Sequence, residues 1–218
     1  MSPTMSFGGP GGEAPGPGRS PDVTEVRIHG RGGQGVVTAA ELLSVAAFTE
    51  GRHAQAFPSF GSERTGAPVV SFCRISDAVI RTREPIVAPD VLIVQDATLL
   101  HQVNVFEGFG PGGYLLINSA HGFAELGLAE FTEGFRPERL LVVPATELAR
   151  EHLGRPVPNA ALLGGFAALT GIVGLASVLS AISGRFRGPA VEGNLAAATV
   201  AYEFVRAERE ELAGAQAD

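Results

Sequence analysis

Between residues 30 and 35 the chain reads Gly30-Arg31-Gly32-Gly33-Gln34-Gly35, four glycines in six positions, and this run constrains the fold more than any other segment. On its amino side, Val23 to His29 alternates apolar and polar residues with the period of a half-buried strand. On its carboxyl side, Val36 to Thr49 carries Ala, Leu and Val at helical spacing. The run is therefore expected to be a strand-to-helix turn. Without side-chain bulk, such a turn lets backbone N–H groups approach an anion, and the helix N-terminus adds a partial positive charge. Arg31 adds a planar cationic fork suited to phosphate oxygens. The alternative is a tight turn that holds no ligand. The spacing also satisfies G-x-G-x-x-G from Gly30, the dinucleotide fingerprint, which further needs an acid at the end of the second strand about twenty residues on. Glu50 lies at that distance, but Gly51 follows it and the next strand-like segment starts only near His53.

The chain has 218 residues, of which 45% are hydrophobic, enough for a substantial buried core. Formal net charge is −7, and no cluster of Lys or Arg interrupts the acidic balance, so nucleic acid is not an expected partner. The single cysteine, Cys73, excludes an intrachain disulfide and cannot assemble a cysteine-ligated zinc or iron–sulfur site alone. Its neighbours Val69, Val70, Phe72 and Ile75 make it a buried strand residue rather than a reactive thiol. Residues 1–22 are rich in Gly and Pro and show no charged segment followed by an apolar one. They are expected to form a disordered tail rather than a signal peptide, with Met5 as an alternative start. Cytoplasmic residence is the corresponding expectation.

Further strands are expected at His53 to Ala56, Ala67 to Ile75, Val91 to Gln95, Tyr114 to Asn118 and Leu140 to Val143. Helical segments between strands give a doubly wound pattern. The fold class is accordingly α/β, a three-layer Rossmann-like open sheet with helices on both faces. Its domain would span residues 23–213, with 214–218 as a flexible C-terminus. Gly108 to Gly113 is expected to be a plain turn, because a strand and not a helix follows it. Ala160 to Ile182 is 23 residues without a charge, a length that fits a bilayer span. Gly164, Gly165, Gly171 and Gly174 with Thr170, Ser177 and Ser180 lower its hydrophobicity, and the flanks carry no aromatic belt. Small residues at helical spacing favour instead closely packed buried helices or a subunit interface. Asn194 to Ala213 reads as an amphipathic helix whose charged run, Arg206 to Glu211, is a solvated face.

The loop Pro58-Ser59-Phe60-Gly61-Ser62-Glu63-Arg64-Thr65-Gly66-Ala67-Pro68, taken with Gly30 to Gly35, resembles the gamma subunit of the 2-oxoacid:acceptor oxidoreductases of the pyruvate:ferredoxin type. Arg74-Ile75-Ser76-Asp77 with Pro85-Ile86, Asp90 to Asp96, Asn159 to Gly165, and Glu192-Gly193-Asn194 with Ala196 to Tyr202 extend the likeness over roughly Val23 to Arg206. Many relatives have Arg-Gly-Gly after the loop acid, whereas here Arg64-Thr65-Gly66-Ala67 follows Glu63, a variant that bears on the substrate.

The resemblance implies oxidative decarboxylation of a 2-oxoacid to acyl-CoA and CO2, with two electrons passed to ferredoxin or another acceptor. Thiamine diphosphate, Mg and iron–sulfur clusters would reside in the partner alpha, beta and ferredoxin-like delta subunits, and no catalytic or metal-ligating residue is expected in this chain. Its implied role is to support the assembly and share the coenzyme A site through Gly30, Arg31, Gly32, Gly33, Gln34 and Gly35, with Thr38 at the rim. Ser59, Phe60, Glu63 and Arg64 would complete the site from the carboxyl edge of the next strand, where open α/β sheets place ligands. Arg64 would contact a phosphate or carboxylate and Glu63 would orient it, or the two would form a loop or interface ion pair. His53 and His101 pair with no catalytic carboxylate. Two other readings stand beside this one: a free-standing NAD(P)-binding Rossmann-type oxidoreductase or regulatory domain, and a scaffold whose glycine turn is empty.

Overall fold

The computed structural model describes residues 23–59 and 65–215. Six strands form one sheet: β1 Val23–Arg31, β2 His53–Pro58, β3 Pro68–Ser76, β4 Val91–Val94, β5 Tyr114–Asn118 and β6 Leu140–Val143. The helices are α1 Val36–Thr49, the single turn α2 Ala129–Thr132, α3 Ala145–Leu153, α4 Asn159–Thr170, α5 Leu175–Arg185 and α6 Pro189–Gly214. The sheet order is β2-β3-β1-β4-β5-β6. From β1 outward through β4, β5 and β6 the pairing is parallel, whereas β3 runs antiparallel to both β1 and β2. The open α/β sheet is as expected, but it is mixed, because β2 and β3 pair directly as antiparallel neighbours.

The period-two pattern of β1 divides the protein's two cores. Val26 and Ile28 face a layer built from α1, α4, α5 and α6, together with Cys73, Ile75, Val91, Ile93, Leu116 and Leu141. On the other face, Leu92, Val94, Leu115 and Ile117 are covered by Leu99, Leu100, Val105, Phe109, Leu128 and Phe135. That cover is thin. It consists of a 3-10 turn at Ala97–His101, loops and α2, stiffened by rings of Phe106, Phe131, Phe135 and Phe109 with centroids 4.2 to 5.4 Å apart.

Two buried polar residues of β1 point towards this thinner layer. Arg27 donates from Nη1 to the carbonyls of Ile86 and Val87 and from Nη2 to those of Val105 and Glu107, pinning two loops to the sheet. Beside it, His29 is buried with Nε2 unpartnered among the described residues, and burial, then the charge of Arg27, lowers its pKa to about 4. It is therefore neutral in the folded protein. Cys73 is fully buried, and desolvation raises its thiol to about 12, as befits a packing residue.

The long uncharged segment forms two helices rather than one span, α4 buried along almost its whole length and α5 buried only at Val178, Ala181 and Ile182. Gly171, at φ 64°, caps α4 and breaks the helix, and Gly174 leads into α5 with its N–H on Glu50 Oε1 at 2.7 Å. Among the described residues no helix is long and apolar enough to cross a membrane. Small residues here serve close approach. A Cβ on Gly164 would lie 1.9 Å from the Ala198 carbonyl oxygen of α6, and one on Gly193 2.6 Å from that of His152 in α3.

Gly164→Ala should therefore force α4 from α6 and lower unfolding stability by about 3 kcal/mol, as overpacking against backbone does. Gly184→Ala in α5, where an added Cβ meets nothing, should instead raise stability by about 0.5–1 kcal/mol. Denaturant midpoints at constant m-value check both. For His29 the sign follows from a pKa depressed below the unfolded value of about 6.5. Between that value and about pH 4 the unfolded chain binds the proton and the folded chain does not, so stability falls as pH falls through this window. His29→Leu should flatten that slope and leave stability at pH 7.5 within about 1 kcal/mol of wild type, since the imidazole Nε2 has no partner to lose.

Candidate functional site

The sheet reverses direction of winding between β1 and β4: the chain leaves β1 through α1 on one face and leaves β4 through the 3-10 turn on the other. The crevice at the carboxyl ends of such a strand pair is where open α/β sheets hold ligands. The glycine run lies there. Gly30 and Arg31 extend β1, paired with Val69 and Pro68, so the strand is two residues longer than its alternation suggests and the turn proper is Gly32 to Gly35.

Each glycine has a local reason. A Cβ on Gly30 would meet Val36 Cγ2 at 2.6 Å, so α1 folds directly over it. Gly33 and Gly35 adopt φ of 94° and 74°, left-handed values that L side chains avoid. Gly32 is tied to the start of β3: its N–H donates to Ala67 O at 2.9 Å, and its carbonyl accepts from Gly66 N at 3.0 Å. Gly35 is the N-cap of α1 and offers no side-chain acceptor, so among the described residues no side chain caps the first amides of the helix. They open on a cleft of about 440 Å³ lined by Arg31, Gly32, Gly33, Gly35, Val36, Val37, Thr38, Thr65 and Val69.

The two polar side chains of the run turn inward. Gln34 Oε1 accepts the Arg31 N–H at 2.8 Å, and its Nε2 donates to Asp96 Oδ2 at 2.8 Å. The Arg31 guanidinium donates to Asp96 Oδ2 at 3.1 Å, Gly66 O at 3.0 Å, Thr98 Oγ1 at 2.7 Å and Gln102 Oε1 at 2.8 Å. Asp96 also accepts from Thr98 N and Oγ1. Burial alone would raise its carboxyl, but the hydrogen bonds from Thr98 and Gln34 and the charge of Arg31 outweigh that and hold the pKa below the ordinary carboxylate value. Arg31, expected as a free phosphate fork, thus lines the cleft while its charge is balanced inside the protein.

Ser59 lies at the same carboxyl edge, exposed, with its N–H on Val70 O at 2.8 Å, and Thr65 bridges Gly32. Phe60, Glu63 and Arg64 lie outside the described residues. Glu50, the acid a dinucleotide site would require, is not at this edge. It closes the far end of α1, about 20 Å away by the helical rise, on Gly174. His53 and His101 are exposed. Asp96, Thr98, Gln102 and Asn159 belong to the site and were not singled out by the glycine pattern. An acid immediately after the strand on the far side of the switch point was the available signal for Asp96.

An open mixed sheet with a glycine turn at its switch point defines an α/β fold with a cleft at the carboxyl edge of its strands. Residues 25–204 match the pyruvate ferredoxin/flavodoxin oxidoreductase family. The chain is 48% identical over 178 residues to pyruvate synthase subunit PorC of Methanocaldococcus jannaschii, covering 82% of this chain and 94% of that one. It is 47% identical over 186 residues to the pyruvate/ketoisovalerate oxidoreductases common subunit gamma of Thermococcus kodakarensis, covering 83% and 99%. The crystal structure of pyruvate oxidoreductase subunit PORC from Thermotoga maritima superposes with a TM-score of 0.70 at 34% identity, covering 84% of this chain and 96% of that one. The chain belongs to the gamma-subunit family of the pyruvate and 2-oxoacid:ferredoxin oxidoreductases, and enzymatic activity is a property of the complex of which such a subunit is part.

Asp96→Ala would leave the Arg31 and Gln34 donors without their shared acceptor. It should lower stability by about 2 kcal/mol, within the range for hydrogen bonds to a charged group, with faster amide exchange at residues 31–35. Because the Asp96 pKa is depressed, its contribution is complete above the unfolded value of about 3.9 and is lost as pH falls through the folded value. The mutant and wild type should therefore converge in acid.

Proposed function

We propose that this chain holds the nucleotide end of coenzyme A at the glycine turn of a 2-oxoacid:ferredoxin oxidoreductase. The observation that carries this reading is the uncapped N-terminus of α1 at the sheet's switch point, opening on the cleft lined by Gly32, Gly33, Gly35 and Val36 to Thr38. A phosphate there is an acceptor for several N–H groups at once and is favoured by the helix dipole. Ser59 stands at the same edge as a further hydrogen-bonding group, and Phe60, Glu63 and Arg64 of the adjoining loop are proposed to complete the site.

The partner alpha, beta and delta subunits would supply thiamine diphosphate with Mg and the iron–sulfur clusters. The reaction converts a 2-oxoacid, coenzyme A and two oxidised ferredoxins to acyl-CoA, CO2, a proton and two reduced ferredoxins. In this division of labour the present chain binds and orients the acyl acceptor and moves no electrons itself. The complex would reside in the cytoplasm, where coenzyme A and ferredoxin are found.

The test is kinetic, on the assembled complex. Thr38→Glu places a like charge against the phosphate in the cleft and should raise the KM for coenzyme A about tenfold or more, with the KM for the 2-oxoacid unchanged. The isolated chain should turn over no 2-oxoacid. An unchanged KM for coenzyme A in the variant complex refutes the proposal.

A further inference from the structure

β2 is one edge of the sheet, with β3 on its inner side. The Ser59 N–H donates to Val70 O at 2.8 Å, which sets the phase of the β2–β3 ladder. Bonded and non-bonded pairs alternate in an antiparallel ladder. Phe57, Gln55 and His53 therefore exchange bonds with Phe72, Arg74 and Ser76, while the N–H and C=O of Ala54 and Ala56 point away from β3. Among the described residues no backbone group outside β3 bonds to either alanine. The row ends at Pro58, which has no N–H, and at Arg52, whose N–H is already used on Ala47 O at 3.1 Å.

Free edges are normally guarded by charge, above all by lysine, or by being short. His53–Pro58 contains no Lys, Arg, Asp or Glu, and the whole chain contains no lysine. The opposite edge strand, β6, has only four residues and is followed by Pro144. Above the unguarded edge, α1 packs on β2 and β3. Its outward face carries Val45, 49% exposed, and Phe48, which at 75% is the most exposed large apolar side chain among the described residues.

We infer that a second copy of this chain docks on β2, edge to edge and antiparallel, joining the two sheets into one. The row of outward groups is its own complement. With a two-fold axis at Gln55, Ala54 faces the partner's Ala56 and Ala56 faces the partner's Ala54, and each pair exchanges two N–H···O bonds. This register uses every outward group of both alanines and asks nothing of Pro58 or of the Arg52 N–H. A shift of the axis to Ala54 or Ala56 would leave one carbonyl per copy facing a missing donor. In the chosen register Phe57 stands opposite the partner's His53 at a non-hydrogen-bonded position, where side chains approach most closely. α1 lies about one strand spacing from the seam, so the two α1 helices run roughly 10 Å apart on the same side of the joined sheet, the ordinary distance for packed helices. Val45 and Phe48 are the apolar side chains available to that contact. Nothing bound at the glycine turn is needed for it.

Sedimentation equilibrium of the full chain, with amide hydrogen exchange in dilute and concentrated samples, tests this. The chain should dimerise, and the amides of Ala54 and Ala56 should exchange about tenfold more slowly in the dimer. Ala56→Pro removes an outward donor from each copy and leaves the β2–β3 bonds intact, because that N–H faces away from β3. It should raise the dimer dissociation constant about tenfold or more. Phe48→Arg, at an exposed position in the last turn of α1 where a cation suits the helix dipole, should weaken the dimer likewise without lowering Tm. If Ala56→Pro does not fold, Phe48→Arg decides alone. A chain that stays monomeric as its concentration rises, with both amides exchanging freely, overturns the inference, and so does a dimer that neither substitution weakens. Protection of the two amides only in the assembled complex, with the isolated chain monomeric, also overturns it and assigns the edge to a strand of another subunit.

Discussion

One carboxylate joins the two halves of this sheet. Asp96 stands at the carboxyl end of β4 and receives Arg31 and Gln34 from the turn after β1, together with Thr98 from its own following turn. β1 and β4 are where the winding reverses, so no helix crosses from one to the other at this edge. Without such a tie the glycine turn would be a flexible loop, because glycine loses more backbone freedom on ordering than any other residue. With it, the turn is held in one conformation at the mouth of α1. The side chains that look most suited to grasp an anion, Arg31 and Gln34, instead hold the backbone of the turn.

This arrangement reconciles an acidic protein with an anion site. A free arginine at the cleft would attract phosphate at long range, but it would also need a counter-ion when the site is empty. Here the ion pair is internal, and the positive potential at the α1 N-terminus comes from peptide dipoles that carry no net charge. The formal charge of −7 therefore says nothing against a local anion site. It is a statement about the outer surface.

Much of the fold could be read from residue patterns, because local periodicity and punctuation agree with tertiary structure along most of the chain. The β1 alternation and the α1 start after Gly35 are each set within a few residues of sequence. The antiparallel course of β3 was not legible, since strand direction depends on which neighbour pairs and a run such as Val69 to Ile75 suits either direction. Nor were the roles of Arg31, Gln34 and Asp96. A residue type suggests which bonds a side chain can make, but the partner it finds 65 positions away is decided by topology. Asn159 was legible as part of a family-like segment, not as the amide lying on Gly35.

The packing of the helical layer and the geometry of the site are then one problem. Asn159 reaches Gly35 only because α4 starts at that height over the sheet, and α4 is positioned by the glycines that let it sink against α6 and the sheet. Gly164 rests on the Ala198 carbonyl, and Gly165 fits between Val205 and Leu116. A bulkier residue at either place would lift α4 by a fraction of a side chain, a shift the core absorbs poorly because it is close-packed. At the other end of the same helix, that displacement would move the Asn159 amide off the α1 N-cap. Small residues deep in an apolar helix thus act on a polar contact a turn or more away. The uncharged segment that in sequence resembles a membrane span is in the folded protein what sets the height of the candidate anion site.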